Sequence, residues 1–110
     1  YMRIERGTDV EAGLVLVRRA LQIDPNNGAY VDSLGWGLFR LGRFAEASEV
    51  LERATRLMPR DSTVLEHLGD SLLALGAPER ARDAYRRALA LGPDGTGGLA
   101  AKLAGLPGAS

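Results

Sequence analysis

Residues 28–61, GAYVDSLGWGLFRLGRFAEASEVLERATRLMPRD, carry a pattern that returns in residues 62–95, STVLEHLGDSLLALGAPERARDAYRRALALGPDG. At an offset of 34, Leu34 falls on Leu68, Gly35 on Gly69, Leu38 on Leu72, Leu41 on Leu75 and Gly42 on Gly76. The same offset sets Ala47 on Ala81, Arg53 on Arg87, Ala54 on Ala88, Leu57 on Leu91 and Pro59 on Pro93. Going back another 34 residues brings Arg19 under Arg53, Ala20 under Ala54, Ile23 under Leu57 and Pro25 under Pro59. One unit therefore stands twice in full and once as its second half. A fixed period of this length marks a supersecondary element that buries one face only by stacking on its neighbour.

Within the unit, apolar residues recur at helical steps. Val31, Leu34, Leu38 and Leu41 form one stripe and Phe44, Ala47, Leu51, Ala54 and Leu57 a second, with Gly42 between them where a left-handed residue ends a helix. Pro59 closes the second stripe. The same reading predicts helices over 62–75 and 78–91, with Pro78 in a first turn where its missing N–H costs nothing. A further helix is expected over 9–23, capped by Asp9 and closed by Pro25. The branched run Leu14 to Val17 reads as part of that helix, because the spacing from Asp9 to Pro25 is uninterrupted.

Gly35 and Gly69 lie in mid-helix, where glycine is about 0.8–1 kcal/mol worse than alanine, so close helix approach must offset the cost. Ala47, Ala54, Ala81 and Ala88 on the second helices are the expected partners of these glycines.

Composition narrows the function. The 110 residues include 14 basic and 14 acidic side chains, no cysteine and one histidine. A disulfide framework, a thiol nucleophile and a zinc finger are excluded. A balanced charge lacks the basic face with which proteins displace counterions from nucleic acid. The longest apolar run, Leu14 to Val17, is far short of a membrane span, which needs about 18 residues or more. The chain begins at Tyr1 without an initiator Met, which reads as a piece of a longer protein whose targeting signals lie elsewhere.

The motif residues resemble tetratricopeptide repeats. One unit supplies Val31, Leu34, Gly35, Leu38, Ala47, Leu51, Ala54 and Pro59, and the next Leu65, Leu68, Gly69, Leu72, Ala81, Tyr85, Ala88 and Pro93. Aliphatic residues at 31, 38, 65 and 72 stand where the family often places large aromatics. The resemblance implies an all-α fold of antiparallel helix pairs stacked as a right-handed solenoid. It spans residues 1–95, divided into a partial repeat (1–27) and full repeats (28–61 and 62–95). Residues 96–110 depart from the period and are expected to form a C-terminal capping helix and tail, where Leu99, Leu103 and Leu106 mark a short amphipathic helix after a DGTGG joint; the alternative is a tail that docks on a partner or a sister chain. The stretch AYVDSLGWGLFRLGR, 29–43, with HLGD later, is similar to C-terminal repeats of envelope-associated proteins of this family in Gram-negative bacteria. That likeness favours the bacterial envelope, in the periplasm, over the cytoplasm. Thirteen arginines against the single Lys102 fit a GC-rich genome.

In this family the first helices of successive repeats line a concave groove for a peptide or protein surface. Carried over position by position, the groove comprises Ala29, Asp32, Trp36, Phe39 and Arg40, followed by Thr63, Glu66, Asp70, Leu73 and Ala74. Trp36 lies outside the core stripe, and tryptophan is a frequent interface hot spot; its alternative role is packing against a neighbouring repeat. Chaperone-binding members hold a terminal carboxylate with a Lys, Arg and Asn clamp. Here Asp32, Glu66 and Asp70 stand near those positions, which favours a basic or apolar segment instead. The chain is thus expected to be an interaction scaffold; the alternative is an architectural unit that caps a longer superhelix or self-associates.

No enzyme, metal or cofactor is expected. Ser33, His67 and the flanking acids Asp32 and Glu66 evoke a triad, but a mid-helix serine has neither an oxyanion hole nor a strained nucleophile turn. His67, Asp70 and Glu66 on one helix lack a second ligand cluster for a metal. Gly95, Gly97 and Gly98 precede no phosphate loop. On the outer faces, Glu49 with Arg53, Glu52 with Arg56 and Asp83 with Arg87 are spaced for favourable pairs of about 0.2–0.5 kcal/mol each. The denser arginines 80, 82, 86 and 87 are interleaved with Glu79 and Asp83 and read as a solvated face. The helix over 9–23 is apolar nearly all round, through Val10, Leu14, Val15, Leu16, Val17, Leu21 and Ile23. Such a stripe is expected to drive homodimerisation unless Tyr1 to Arg6 fold over it.

Overall fold

The computed structural model describes residues 6–92 and 98–106, with side chains from Asp9 onward. Among these residues there are six helices and no strand: α1 (Arg6–Ile23), α2 (Gly28–Arg40), α3 (Phe44–Leu57), α4 (Ser62–Leu75), α5 (Pro78–Ala90) and α6 (Gly98–Ala104). Consecutive helices pack on one another, most extensively α2 on α3 and α4 on α5, with α3 joined to α4 and α2 touching α4. Two helix pairs are therefore stacked, with half a pair before them and a short helix after. Pro93, the joint at 94–97, Pro107 and the segment Tyr1 to Glu5 lie outside the described residues.

Local chemistry repeats with the period. Asn27 and Asp61, 34 apart, cap α2 and α4, each side-chain oxygen accepting from a backbone N–H three residues on, Tyr30 and Val64, at 3.1 Å. Gly42 and Gly76 turn each pair with φ of 82° and 92°, a left-handed conformation that favours glycine. The first helix departs from expectation. It already includes Arg6, so Asp9 is an acidic residue in its first turn rather than its cap.

The mid-helix glycines admit close approach, as expected, but to different partners. A Cβ on Gly35 would stand 2.5 Å from the side chain of Leu51, and one on Gly69 would stand 2.4 Å from the ring of Tyr85. The large residue of the second helix, not its alanines, fills the space over each glycine. Leu51 and Tyr85 are wholly buried, so the hydrophobic gain of their burial offsets the glycine's poor helix propensity. Ala47, Ala54, Ala81 and Ala88 are also buried, one helical turn away on either side, and keep the helices near enough for that contact. Gly37 extends the device to α1: a Cβ there would stand 2.5 Å from the side chain of Leu14.

Between the two full repeats the core holds one polar pair. The hydroxyls of Ser48 on α3 and Ser71 on α4 lie 2.9 Å apart, both almost completely buried, and Ser71 also donates to the carbonyl of Phe44 at 3.2 Å. Each hydroxyl is satisfied internally, so burial carries no unpaired donor.

The tail, expected to depart from the period, keeps it at its two buried positions. Leu99 and Leu106 stand 34 residues after Leu65 and Leu72, and all four join one core cluster with Leu51, Leu68 and Tyr85. α6 packs against α5 and closes that cluster.

Candidate functional site

The face shared by α2 and α4 carries most of the expected groove residues. Asp32 and Trp36 stand one helical turn apart on α2, and Phe39 follows three residues later, so the three share a face. Across from them α4 offers His67. Its Nδ1 lies 2.9 Å from Asp32 Oδ1, and the pair is mostly shielded, with about a fifth of each side chain exposed, 20% and 18%. Trp36 stacks on the imidazole with ring centres 4.1 Å apart and on Phe39 with centres 4.6 Å apart, 9° from parallel. Phe39 in turn meets Phe44 at 5.5 Å. An aromatic column thus crosses the repeat boundary. Trp36 is half-buried: it packs against the neighbouring repeat and still presents surface to solvent.

Glu66 and Asp70 form a second cluster on the next turn of the array. The ammonium of Lys102, reaching over from α6, donates to Glu66 at 2.5 Å and to both oxygens of Asp70 at 3.0 and 3.1 Å. The Tyr85 hydroxyl donates to Asp70 at 2.5 Å, and Lys102 lies 5.8 Å from the centre of the Tyr85 ring. Burial alone would lower the Lys102 ammonium, but its hydrogen bonds to Glu66 and Asp70, with their charges, outweigh that and hold it above the ordinary lysine value. Burial, the hydrogen bond to Asp70 and the two nearby carboxylates all push the Tyr85 phenol well above its usual range.

The expected acidic face is therefore divided in two, and each acid already has a partner. Asp32 faces His67; Glu66 and Asp70 hold Lys102. Neither His67 nor Lys102 was among the expected groove residues. His67 sits one step beyond Glu66, and only its register across the repeat boundary brings it under Trp36. Lys102 belongs to the tail, and the signal that points to it is its being the one lysine on an amphipathic helix in phase with the repeats. Ala29, Thr63, Leu73 and Ala74 are exposed on α2 and α4. Arg40 lines, together with Trp36, a shallow cavity of about 220 Å³ between α1 and α2 that also touches Val10, Leu14 and Val17.

Outside this face, charge is balanced. A cavity of about 450 Å³ on the side of α3 and α5 is rimmed by Glu52, Arg56, Glu79, Arg80, Asp83 and Arg87 over Leu68 and Leu72. Of the expected pairs within a helix, Asp83 and Arg87 approach to 3.9 Å. The others are redirected. Glu52 pairs with Arg80 of the next repeat, and Arg53 donates to the Pro25 carbonyl at 2.6 Å and to Asn26 Oδ1 at 3.1 Å, tying α3 to the preceding loop. Contacts between repeats thus replace contacts along a helix.

The repeated helix pair, its in-phase glycines and the shared face of the first helices define a helical-repeat protein. Residues 33–96, more than half of the chain, match the family model described as tetratricopeptide repeat. The chain belongs to the tetratricopeptide repeat family. No curated protein matches it in sequence. Among solved structures it is similar to the first repeat domain of Spaghetti (RPAP3) bound to the HSP90 peptide SRMEEVD, with a TM-score of 0.81, 23% identity, and 87% of this chain against 75% of that one covered. It is similar to MamA with a TM-score of 0.79 at 23% identity, covering 93% of this chain and 63% of MamA. It also resembles the Thermobaculum terrenum O-GlcNAc transferase, at 35% identity and a TM-score of 0.75 over 81% of this chain but only 17% of the transferase.

Proposed function

We propose that this chain is a protein-interaction scaffold whose α2–α4 face receives a basic or apolar segment of a partner, with Trp36 as the anchor. The observation that carries this reading is the pairing of Glu66 and Asp70 with a lysine from elsewhere in the chain, beside a half-exposed tryptophan. Two carboxylates that converge on one ammonium form a cation receptor, and an acidic peptide terminus meets repulsion there. RPAP3 holds an acidic peptide on the same fold; the acids here reverse the preference. A peptide library displayed against the wild-type chain tests this. Selection of Lys- or Arg-bearing apolar sequences that vanishes with Trp36→Ala and Asp70→Lys is the expected result, and selection of acid-terminated sequences contradicts it.

A second reading has its own observation. On α1, Val15, Leu16 and Ile23 are 52%, 65% and 87% exposed, and an exposed apolar stripe on one helix favours association. The stripe is narrower than its sequence implies, because Leu14 is buried against Gly37 while Val10, Val17 and Leu21 are half-buried. In this architectural role the chain joins another repeat, or a second copy, through α1. Sedimentation equilibrium checks it: a dimer dispersed by Val15→Glu with Leu16→Glu supports it, and a monomer of 11.7 kDa at all concentrations removes it.

A further inference from the structure

Resting on the scaffold reading, we propose that α6 is the built-in occupant of the lysine-binding part of this face, and that a partner gains it by offering a helix of the same chemistry and displacing α6. The occupant is specified by what sits there: Leu99, Lys102, Leu103 and Leu106, an amphipathic turn with one ammonium among leucines. Leu99 and Leu106 are almost fully buried in the cluster that contains Leu65, Leu72 and Tyr85, and Leu103 packs at its edge. Lys102 is the single lysine of the chain, and it meets Glu66 and Asp70 together.

The docked helix is short. Seven residues are too few to be helical in water on their own, so α6 owes its form to the surface it lies on. α6 and the turn after it are anchored by Leu99 and Leu106, by Leu103 at the edge and by the Lys102 ion cluster, and the lysine side chain is still 36% exposed. A partner helix with the spacing Leu-x-x-Lys-Leu-x-x-Leu satisfies the same groups and can extend past the place where α6 stops. Because bound α6 reduces the fraction of open sites, apparent affinity for such a helix in the resting chain is lower than the intrinsic one by that fraction.

The test uses a fluorescein-labelled peptide of residues 96–110, TGGLAAKLAGLPGAS, added to the full chain and followed by anisotropy. Leu99→Asp with Leu106→Asp undocks the resident helix, and Lys102→Glu does so more gently should the first pair lower stability too far; circular dichroism checks that both retain the repeat helices. The undocked chains are expected to bind the peptide at least about tenfold more tightly than wild type. The gain is expected to disappear with Glu66→Gln and Asp70→Asn and to shrink in high salt. Equal, acid-dependent affinity for wild type and undocked chains overturns self-occupancy while leaving the scaffold reading intact. No binding by an undocked chain that is still helical also overturns it and makes α6 a permanent cap. The scaffold reading itself fails on the separate evidence of the library selection, if Trp36→Ala leaves that selection unchanged.

Discussion

Asp32 and Glu66 occupy the same position in successive repeats, and each accepts a nitrogen from the next first-position helix: Asp32 from His67 and Glu66 from Lys102. The relationship runs along the array, α2 to α4 to α6, and makes one acidic site per repeat the link to its neighbour. It also treats α6 as the start of a further unit, in line with the burial of Leu99 and Leu106 at the places of Leu65 and Leu72.

The close contact at Gly69 sets the first prediction. Gly69→Ala puts a methyl into the Tyr85 ring and is expected to destabilise by about 1–3 kcal/mol through overpacking. Gly13→Ala, at a helical site with nothing within 4 Å, is expected to stabilise by about 0.5–1 kcal/mol. Thermal unfolding measures both, at roughly 4–8 °C per kcal/mol for a domain of this size. Equal shifts at the two positions contradict the packing described.

The buried hydroxyl pair predicts non-additivity. Ser71→Ala leaves Ser48 without its partner in an apolar interface, at a cost of about 1–3 kcal/mol. The double change Ser48→Ala, Ser71→Ala removes both polar groups and is expected to cost less than Ser71→Ala alone, which strands Ser48. A double-mutant cycle by denaturant unfolding checks it.

Alkaline pH is expected to weaken the α6 end. Lys102 and Tyr85 both have folded values raised above their unfolded ones. Their contribution is thus fully present below the ordinary tyrosine and lysine values and declines as pH climbs beyond about 10. The melting temperature is expected to be level between about pH 7 and 9 and then to fall, and Lys102→Gln with Tyr85→Phe is expected to flatten that fall. An unaltered slope in the double variant contradicts the assignment.

How far sequence carries the fold depends on the kind of contact. The 34-residue period locates α1 to α5, and leucine spacing alone locates α6, because apolar spacing and turn glycines act locally. It says which face is buried but not which residue lies opposite, so alanine was the expected neighbour of Gly35 where Leu51 is found. The Ser48 and Ser71 pair leaves no periodic trace, since a satisfied hydroxyl inside a core looks in sequence like any surface serine. At the face of α2 and α4, Asp32, Trp36, Glu66 and Asp70 are legible from their repeat positions. His67 and Lys102 are not, because their roles come from reaching 35 and 36 residues back across the repeat boundary to Asp32 and Glu66.

The central claim is that the shared face of α2 and α4 selects a cation, and a charge exchange measures it most directly. Affinities are compared for two labelled peptides that differ only at one place, TGGLAAKLAGLPGAS and the same sequence with glutamate for lysine, using the full chain with α6 undocked by Leu99→Asp and Leu106→Asp. The lysine peptide is expected to win by about tenfold or more at low salt, a difference of about 1.4 kcal/mol. Glu66→Lys with Asp70→Lys is expected to reverse the order. If both peptides bind alike to the undocked chain, and charge reversal leaves the order unchanged, the face does not read charge and the account of it is wrong.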